Sequence, residues 1–414
     1  MPHCKNPLFQ LDTTSERIRR HGKELWDRLR ARGAAPEKIL DDRPLRPFSL
    51  GEVAEILGVS GSYLRQLSID GLGPTPELGT AGRRSYTLRQ INELRAYLAS
   101  TRPKEALKFC PRRREGEKLQ IISVAGGPST TTTSLYLTQG LALQGFRVLA
   151  IDLDARGSLS KMFGYLPTVY PVHNASMSAV LRYDHDRVSM GSVILSTSFD
   201  GLDFVPGTFE LDEFEEESSR RYRSKWGYPD ASIRMVDALK EVEDLHDVLV
   251  IHCGHGSFLT AGAYEAATGV LMTVRPELPE ILSMTLSLSH FEHDVSLLEQ
   301  AGRPVAYDFV KFLVTRHDPR DLSQQEVVAR LRDSLGNNLL TATVWESGAI
   351  LQAWTKNRSL YELSAGDVGR SAYEQAMETL NSTNAEVMDI VSKVWGRPPM
   401  YVMRASRTAG KASS

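Results

Sequence analysis

The stretch that most constrains the fold is residues 119–154, LQIISVAGGPSTTTTSLYLTQGLALQGFRVLAIDLD. A short apolar run, LQIISVA, breaks at the glycine-rich turn GGPSTTTT, and SLYLTQGLALQG then carries apolar residues at helical spacing. FRVLAIDLD follows, almost unbroken in apolar residues, as a strand covered on both faces should be. Further on, LHDVLVIHCG gives another strand, AGAYEAATG a helix and VLMTVRP one more strand. Strand, helix, strand alternation predicts an α/β fold with a doubly wound parallel sheet. Ligands of such sheets sit at the carboxyl ends of the strands, where GGPSTTTT, DLDARG and HCGHG fall.

At 414 residues the chain exceeds one ordinary core, so smaller units should flank this sheet. Pro47-Phe48 leads to Ser49, a cap for LGEVAEILG; Gly58-Val59-Ser60 makes a tight turn, and Ser60 caps GSYLRQLSIDG. Two short extended pieces around a glycine-bearing turn come next, with Arg83 and Arg84 on the return arm, and Thr87 caps LRQINELRAYLAS. Helix, tight turn, helix and basic hairpin resemble the winged helix-turn-helix of MerR-type DNA-binding domains. In that reading the second helix offers Ser60, Ser62, Tyr63 and Arg65 to a major groove, and Arg83, Arg84 and Tyr86 reach phosphates. A three-helix protein-interaction module is the alternative.

The expected organisation has an N-terminal helical arm (1–46), a winged unit (47–100), a basic linker (101–118), the α/β unit (119–400) and a polar tail (401–414). The arm carries a helix capped by Thr14 or Ser15, with Ile18, Leu25, Trp26 and Leu29 as an apolar stripe suited to pairing with a partner helix in a dimer; an arm packed on its own chain is the alternative. The linker holds seven basic and three acidic residues with two prolines, the composition of a solvated hinge. FELDEFEEESSRRYRSKWG, six acids and then four basic residues, reads as a helix with a solvated face.

A net charge of −2, from 49 basic and 51 acidic residues, argues against a uniformly basic coat on nucleic acid while leaving room for local basic surfaces. Cys4, Cys110 and Cys253 are too few and too far apart for a disulfide framework or a zinc cluster. His252 and Cys253 alternate at a strand end and so point to opposite faces; besides His255 only His246 lies close in sequence, and His290 and His293 would have to approach through the fold, so no metal site is expected. No apolar run reaches membrane-spanning length, and a cytoplasmic setting is expected.

The run Leu119–Phe163, its spacing to LRYDHDR, FDGLDFVPGTFEL and DVLVIHC, the closing TLNSTNAEVMDIVSKVWGRP, and the winged segment LGVSGSYLRQLSIDG together resemble the ParA family of partition ATPases, and within it the RepA branch of repABC plasmid systems. The resemblance implies a deviant Walker A P-loop ATPase that uses ATP and Mg2+ and dimerises on nucleotide. It also implies operator and nonspecific DNA binding, and work with a ParB-type partner. By matching positions, Gly126, Gly127, Thr130, Thr131, Thr132 and Asp152 fall in the nucleotide site, Asp154 at the residue that positions water, and His252 at the metal-supporting acid. SGAILQAWTKNRSLYEL matches a DNA-contacting region, with Lys356 and Arg358 as its basic residues.

Departures from the family pattern outweigh the match at the P-loop. Where the family reads K-G-G-x-G-K-T-T, residues 125–132 read AGGPSTTT. Ala125 replaces the signature lysine, Thr130 the phosphate-neutralising lysine, and His252 the acid. Arg156 is the one nearby cation that strand-end geometry would allow as a substitute. Phosphoryl transfer is mostly positioning and charge neutralisation, and one preorganised donor is worth roughly 100- to 1000-fold in rate. A DNA-binding repressor and protein partner with an impaired nucleotide site is therefore expected. A working ATPase with unusual loop chemistry and a modulator of an intact relative without DNA binding are the alternatives.

Overall fold

The computed structural model describes residues 13–31, 43–79, 82–166, 173–223, 229–254 and 257–403. Helix α1 spans Thr14–Ala31. Its cap is Thr13, one residue ahead of the expected positions: the Thr13 hydroxyl accepts from Glu16 N and the Glu16 carboxylate accepts from Thr13 N. Ile18, Leu25 and Leu29 are exposed along it.

A compact unit follows, with β1 (Phe48–Ser49), α2 (Leu50–Leu57), α3 (Gly61–Ile69), β2 (Glu77–Leu78), β3 (Arg84–Tyr86) and α4 (Leu88–Thr101). Ser49 and Thr87 form capping boxes with Glu52 and Gln90, and Ser60 caps α3 through Tyr63 N. Gly58 closes α2 in the left-handed conformation. The three strands make an antiparallel sheet ordered β1-β3-β2.

After α5 (Ala106–Phe109) the chain alternates: β4 (Gln120–Gly126), α6 (Thr130–Leu143), β5 (Val148–Asp152), α7 (Ser158–Met162), α8 (Met177–Leu181), β6 (Leu195–Ser196), β7 (Leu202–Val205), α9 (Glu210–Arg223) and α10 (Pro229–Lys240). It continues through β8 (Val248–His252), α11 (Ser257–Ala266), β9 (Gly269–Val274), α12 (Leu278–Gln300), β10 (Phe309–Val314), α13 (Leu322–Leu335), α14 (Gly348–Thr355), α15 (Ala365–Val368) and α16 (Arg370–Val394). Seven strands form one sheet ordered β10-β9-β4-β8-β5-β7-β6, parallel throughout except for the short edge strand β6.

Strand alternation divides the interior. Ile122, Val124, Val148, Ala150, Val248 and Val250 face α6, α14 and α16; Leu149, Ile151, Leu249, Ile251, Val270 and Met272 face α10 to α13. The first of these apolar masses runs on without a break into Val53, Leu57, Leu64 and Ile91 of the N-terminal unit. Helix α6 is buried almost all round, and Gly140 lets α16 approach it: a Cβ there would collide with the Asn384 amide, which donates to Tyr136 O at 2.8 Å.

The stretch read as a solvated linker is packed. Phe109 is fully buried, Lys108 Nζ donates to Gly58 O at 2.9 Å, and Arg113 N donates to the Asp247 carboxylate at 3.0 Å. From the far end of the chain, Arg397 gives its guanidinium to the carbonyls of Pro111 and Arg112, each at 2.8 Å. Basic residues here bond to the fold. The α/β unit also extends past its expected end at 400: Tyr401 is buried, beside the Phe146 ring at 6.1 Å. The rest of the expected tail, from 404, lies outside the described residues.

Candidate functional site

The glycine-rich turn leaves the end of β4 between β8 and β9. Gly126 sits at φ 101°, and a Cβ there would lie 3.0 Å from Thr273 O, so backbone crowding from β9 dictates glycine. Gly127 donates its N–H to Thr273 O at 2.9 Å, which takes that donor away from any ligand. Ser129 precedes α6 at φ 74°, a left-handed conformation that costs a non-glycine residue about 1–2 kcal/mol. Its side chain makes no capping bond. Thr130, Thr131 and Thr132 form the first turn of α6, with no cation at any of the three.

Asp152 and His252 are direct partners in the β5–β8 register, so their side chains leave the sheet on the same face. His252 Nδ1 lies 2.9 Å from Asp152 Oδ1, and its Nε2 lies 3.2 Å from Thr131 Oγ1. Asp152 is fully buried and accepts three further bonds: Asp154 N at 3.1 Å, Ser160 N at 2.9 Å and Ser160 Oγ at 2.7 Å. Asp154 accepts from Ser158 Oγ, from Arg156 N and from Arg156 Nε. Burial pushes the Asp154 carboxyl up, but the Ser158 hydroxyl and then the Arg156 bonds outweigh it and hold it below the usual range.

Arg156, the one nearby cation allowed as a substitute for the missing lysine, points out with its side chain 67% exposed and pairs with Asp154 at 3.3 Å. A cavity of about 350 Å³ opens beside the loop, with Thr131, Tyr136, Thr315, Trp345, Trp354 and Asn384 among its walls. Arg316 also lines it, but its fork is taken by the Glu346 carboxylate at 2.9 and 3.1 Å. On the other side of Asp154, Glu215 caps α11 by accepting from Phe258 N at 3.0 Å and Leu259 N at 2.7 Å. The sequence reading had placed Glu215 on a solvated face; only the fold brings it to a helix end 43 residues away. Among the described residues no group of three or more His, Cys, Asp or Glu side chains gathers as a metal cage, and His255 lies outside them.

In the N-terminal unit, Leu64 and Leu67 turn α3 inward, leaving Ser60, Ser62 and Arg65 exposed. The Ser60 hydroxyl is occupied as a cap, and Tyr63 is half-buried under the Arg102 guanidinium at 4.5 Å. Arg83 is exposed, while Arg84 is tied to Ser68 Oγ at 3.3 Å. Tyr86 corrects the sequence reading. Paired with Phe48 and 1% exposed, it belongs to the core, where burial pushes its phenol above the usual value; it has no surface to offer a phosphate. Lys356 is exposed with Nζ donating to Asp367 O, Arg358 is half-buried, and Arg43 donates to Asn357 O between them.

Residues 116–290 match the family model described as AAA domain. Over 359 residues the chain is 39% identical to a candidate replication protein A of Sinorhizobium fredii, spanning 85% of this chain and 88% of that one. It is 26% identical over 360 residues to protein SopA of Escherichia coli, spanning 83% and 86%. A solved structure titled Partition Protein superposes with a TM-score of 0.62 at 15% identity, covering 92% of this chain and 99% of its own. The chain belongs to the ParA family of plasmid partition and replication proteins.

Proposed function

We infer that this chain acts in plasmid partition and replication control as a DNA-binding repressor and as the partner of a ParB-type protein, with a nucleotide site that does not turn ATP over. The observation that carries the DNA-binding part is the outward face of α3, where Arg65 and Ser62 stand exposed while Leu64 and Leu67 anchor the helix beneath. Arg83 extends that face as a phosphate contact, and Lys356 and Arg358 supply a second, sequence-independent one. Exposed Ile18, Leu25 and Leu29 on α1 suit a homodimer arm. No helix of the described residues is long and apolar enough to cross a membrane, and the protein is proposed to work in the cytoplasm.

ATP and Mg2+, the cofactors the resemblance implies, meet a loop without either lysine, with Gly127 N–H engaged and His252 at the acid position. The test is a gel-shift on the DNA upstream of the protein's own gene, paired with an ATP turnover assay. Wild type should shift the DNA; Arg65→Ala and Arg83→Ala should weaken the shift, each by about 1–3 kcal/mol at a base contact and less at a phosphate. Wild-type shifts from both variants would remove the DNA face. Turnover matching an intact-loop relative would remove the impaired site.

A further inference from the structure

The departure of the site from the family pattern is itself informative. A carboxylate accepts and does not donate, so His252 Nδ1 carries the proton toward Asp152, and in the neutral ring Nε2 accepts from the Thr131 hydroxyl. Asp152 has about four lone-pair positions. All are filled, by His252 Nδ1, Asp154 N, Ser160 N and Ser160 Oγ. Magnesium demands near-octahedral oxygen ligation and keeps its waters, so it needs free lone pairs at this spot. Asp152 does not meet that demand, and the buried His252 ring fills the space between it and the Thr131 hydroxyl. The residues present do not fit the cation.

We propose that the His252 imidazole is a metal-free clamp standing in for a divalent cation, tying the first turn of α6 to the ends of β5 and β8. A flat ring with nitrogens on two edges links its partners in one orientation, and here those partners are the loop's first helical turn and the central sheet. His252 is thus a positioning residue: it holds the loop in place whether or not a cation is present. The clamp does not depend on the DNA-binding reading, since the gel-shift can fail while the results below stand, and the reverse.

The test is thermal unfolding of the full-length chain in MgCl2 against EDTA. Wild type should melt at the same temperature in both. His252→Asp sets a second carboxylate against Asp152, so it should melt at least roughly 3 °C lower in EDTA and recover in MgCl2. A wild type raised by MgCl2 as much as the variant overturns the clamp, as does a variant that matches wild type in EDTA. Should His252→Asp not fold, nitrogen-15 correlation spectra of wild type decide. The clamp requires the proton on Nδ1, unchanged by MgCl2, with the Nε2 signal moving in Thr131→Val; a proton on Nε2 alone, or a ring signal shifted by MgCl2, overturns it.

Discussion

Arg95, on α4 of the N-terminal unit, donates from Nη2 to the carbonyl oxygen of Leu143, the last residue of α6, across 2.6 Å. Its Nη1 reaches Phe109 O, the last residue of α5, at 3.1 Å, and the side chain is almost wholly buried. A guanidinium between two helix C-termini offsets their partial negative charge and satisfies carbonyls that have no partner in their own helices. Gly145 makes the passage possible, because a Cβ there would lie 2.9 Å from Arg95 Cδ.

Arg95→Ala should therefore cost about 2–4 kcal/mol, because it strands two buried carbonyls as well as removing packing. Arg95→Lys should recover only part, since an ammonium lacks the fork that spans both acceptors. Urea denaturation followed by circular dichroism measures both. A midpoint unchanged in Arg95→Ala would show that the two helix ends find other donors.

Ser129→Gly acts in the other direction. At φ 74° the serine holds a conformation that glycine adopts without steric penalty, and its side chain makes no capping bond to lose. The substitution should stabilise the chain by about 0.5–1 kcal/mol after the glycine's extra unfolded-state entropy is subtracted. The same denaturation midpoint reports it, and destabilisation would mean that the hydroxyl contributes more than the backbone strain costs.

Cys253 gives the pH dependence. Burial pushes its thiol up to about 12, against the Ser123 bond that lowers it. The unfolded thiol titrates near ~8.5, so the folded chain holds a proton that the unfolded chain releases. This contribution to stability is complete below about pH 8.5 and is lost progressively as pH rises toward the folded value. Iodoacetamide at pH 8 should leave the Cys253 peptide unmodified in native protein and alkylate it in urea, read by mass spectrometry. Equal labelling in both would place the thiol in contact with solvent.

Much of the fold was legible because each strand announces itself: VLAID and VLVIH are apolar on both faces, and Ser49, Ser60 and Thr87 cap the helices that they were expected to cap. Tyr86 was misread because a three-residue strand gives too short an alternation to decide which side faces inward. The 101–118 stretch was misread because composition records charge but not destination; Arg113 and Lys108 find partners 134 and 50 residues away. At the site, the loop and its missing lysines were readable in sequence. The Thr131–His252–Asp152 chain was not, since it joins residues separated by 121 and 100 positions, through the β5–β8 register and the placing of the first turn of α6 above it.

The unbroken apolar interior from Val53 and Ile91 to Leu141 and Val391 ties the N-terminal unit to the sheet unit as one packing problem. A recombinant joining the first hundred residues of one relative to the sheet of another must match shapes at Phe109, Arg95 and Gly145 or pay in cavities and stranded carbonyls. Outward positions such as Arg65 are exempt from that matching. The surface of α3 is free to diverge while the interior beneath it is not.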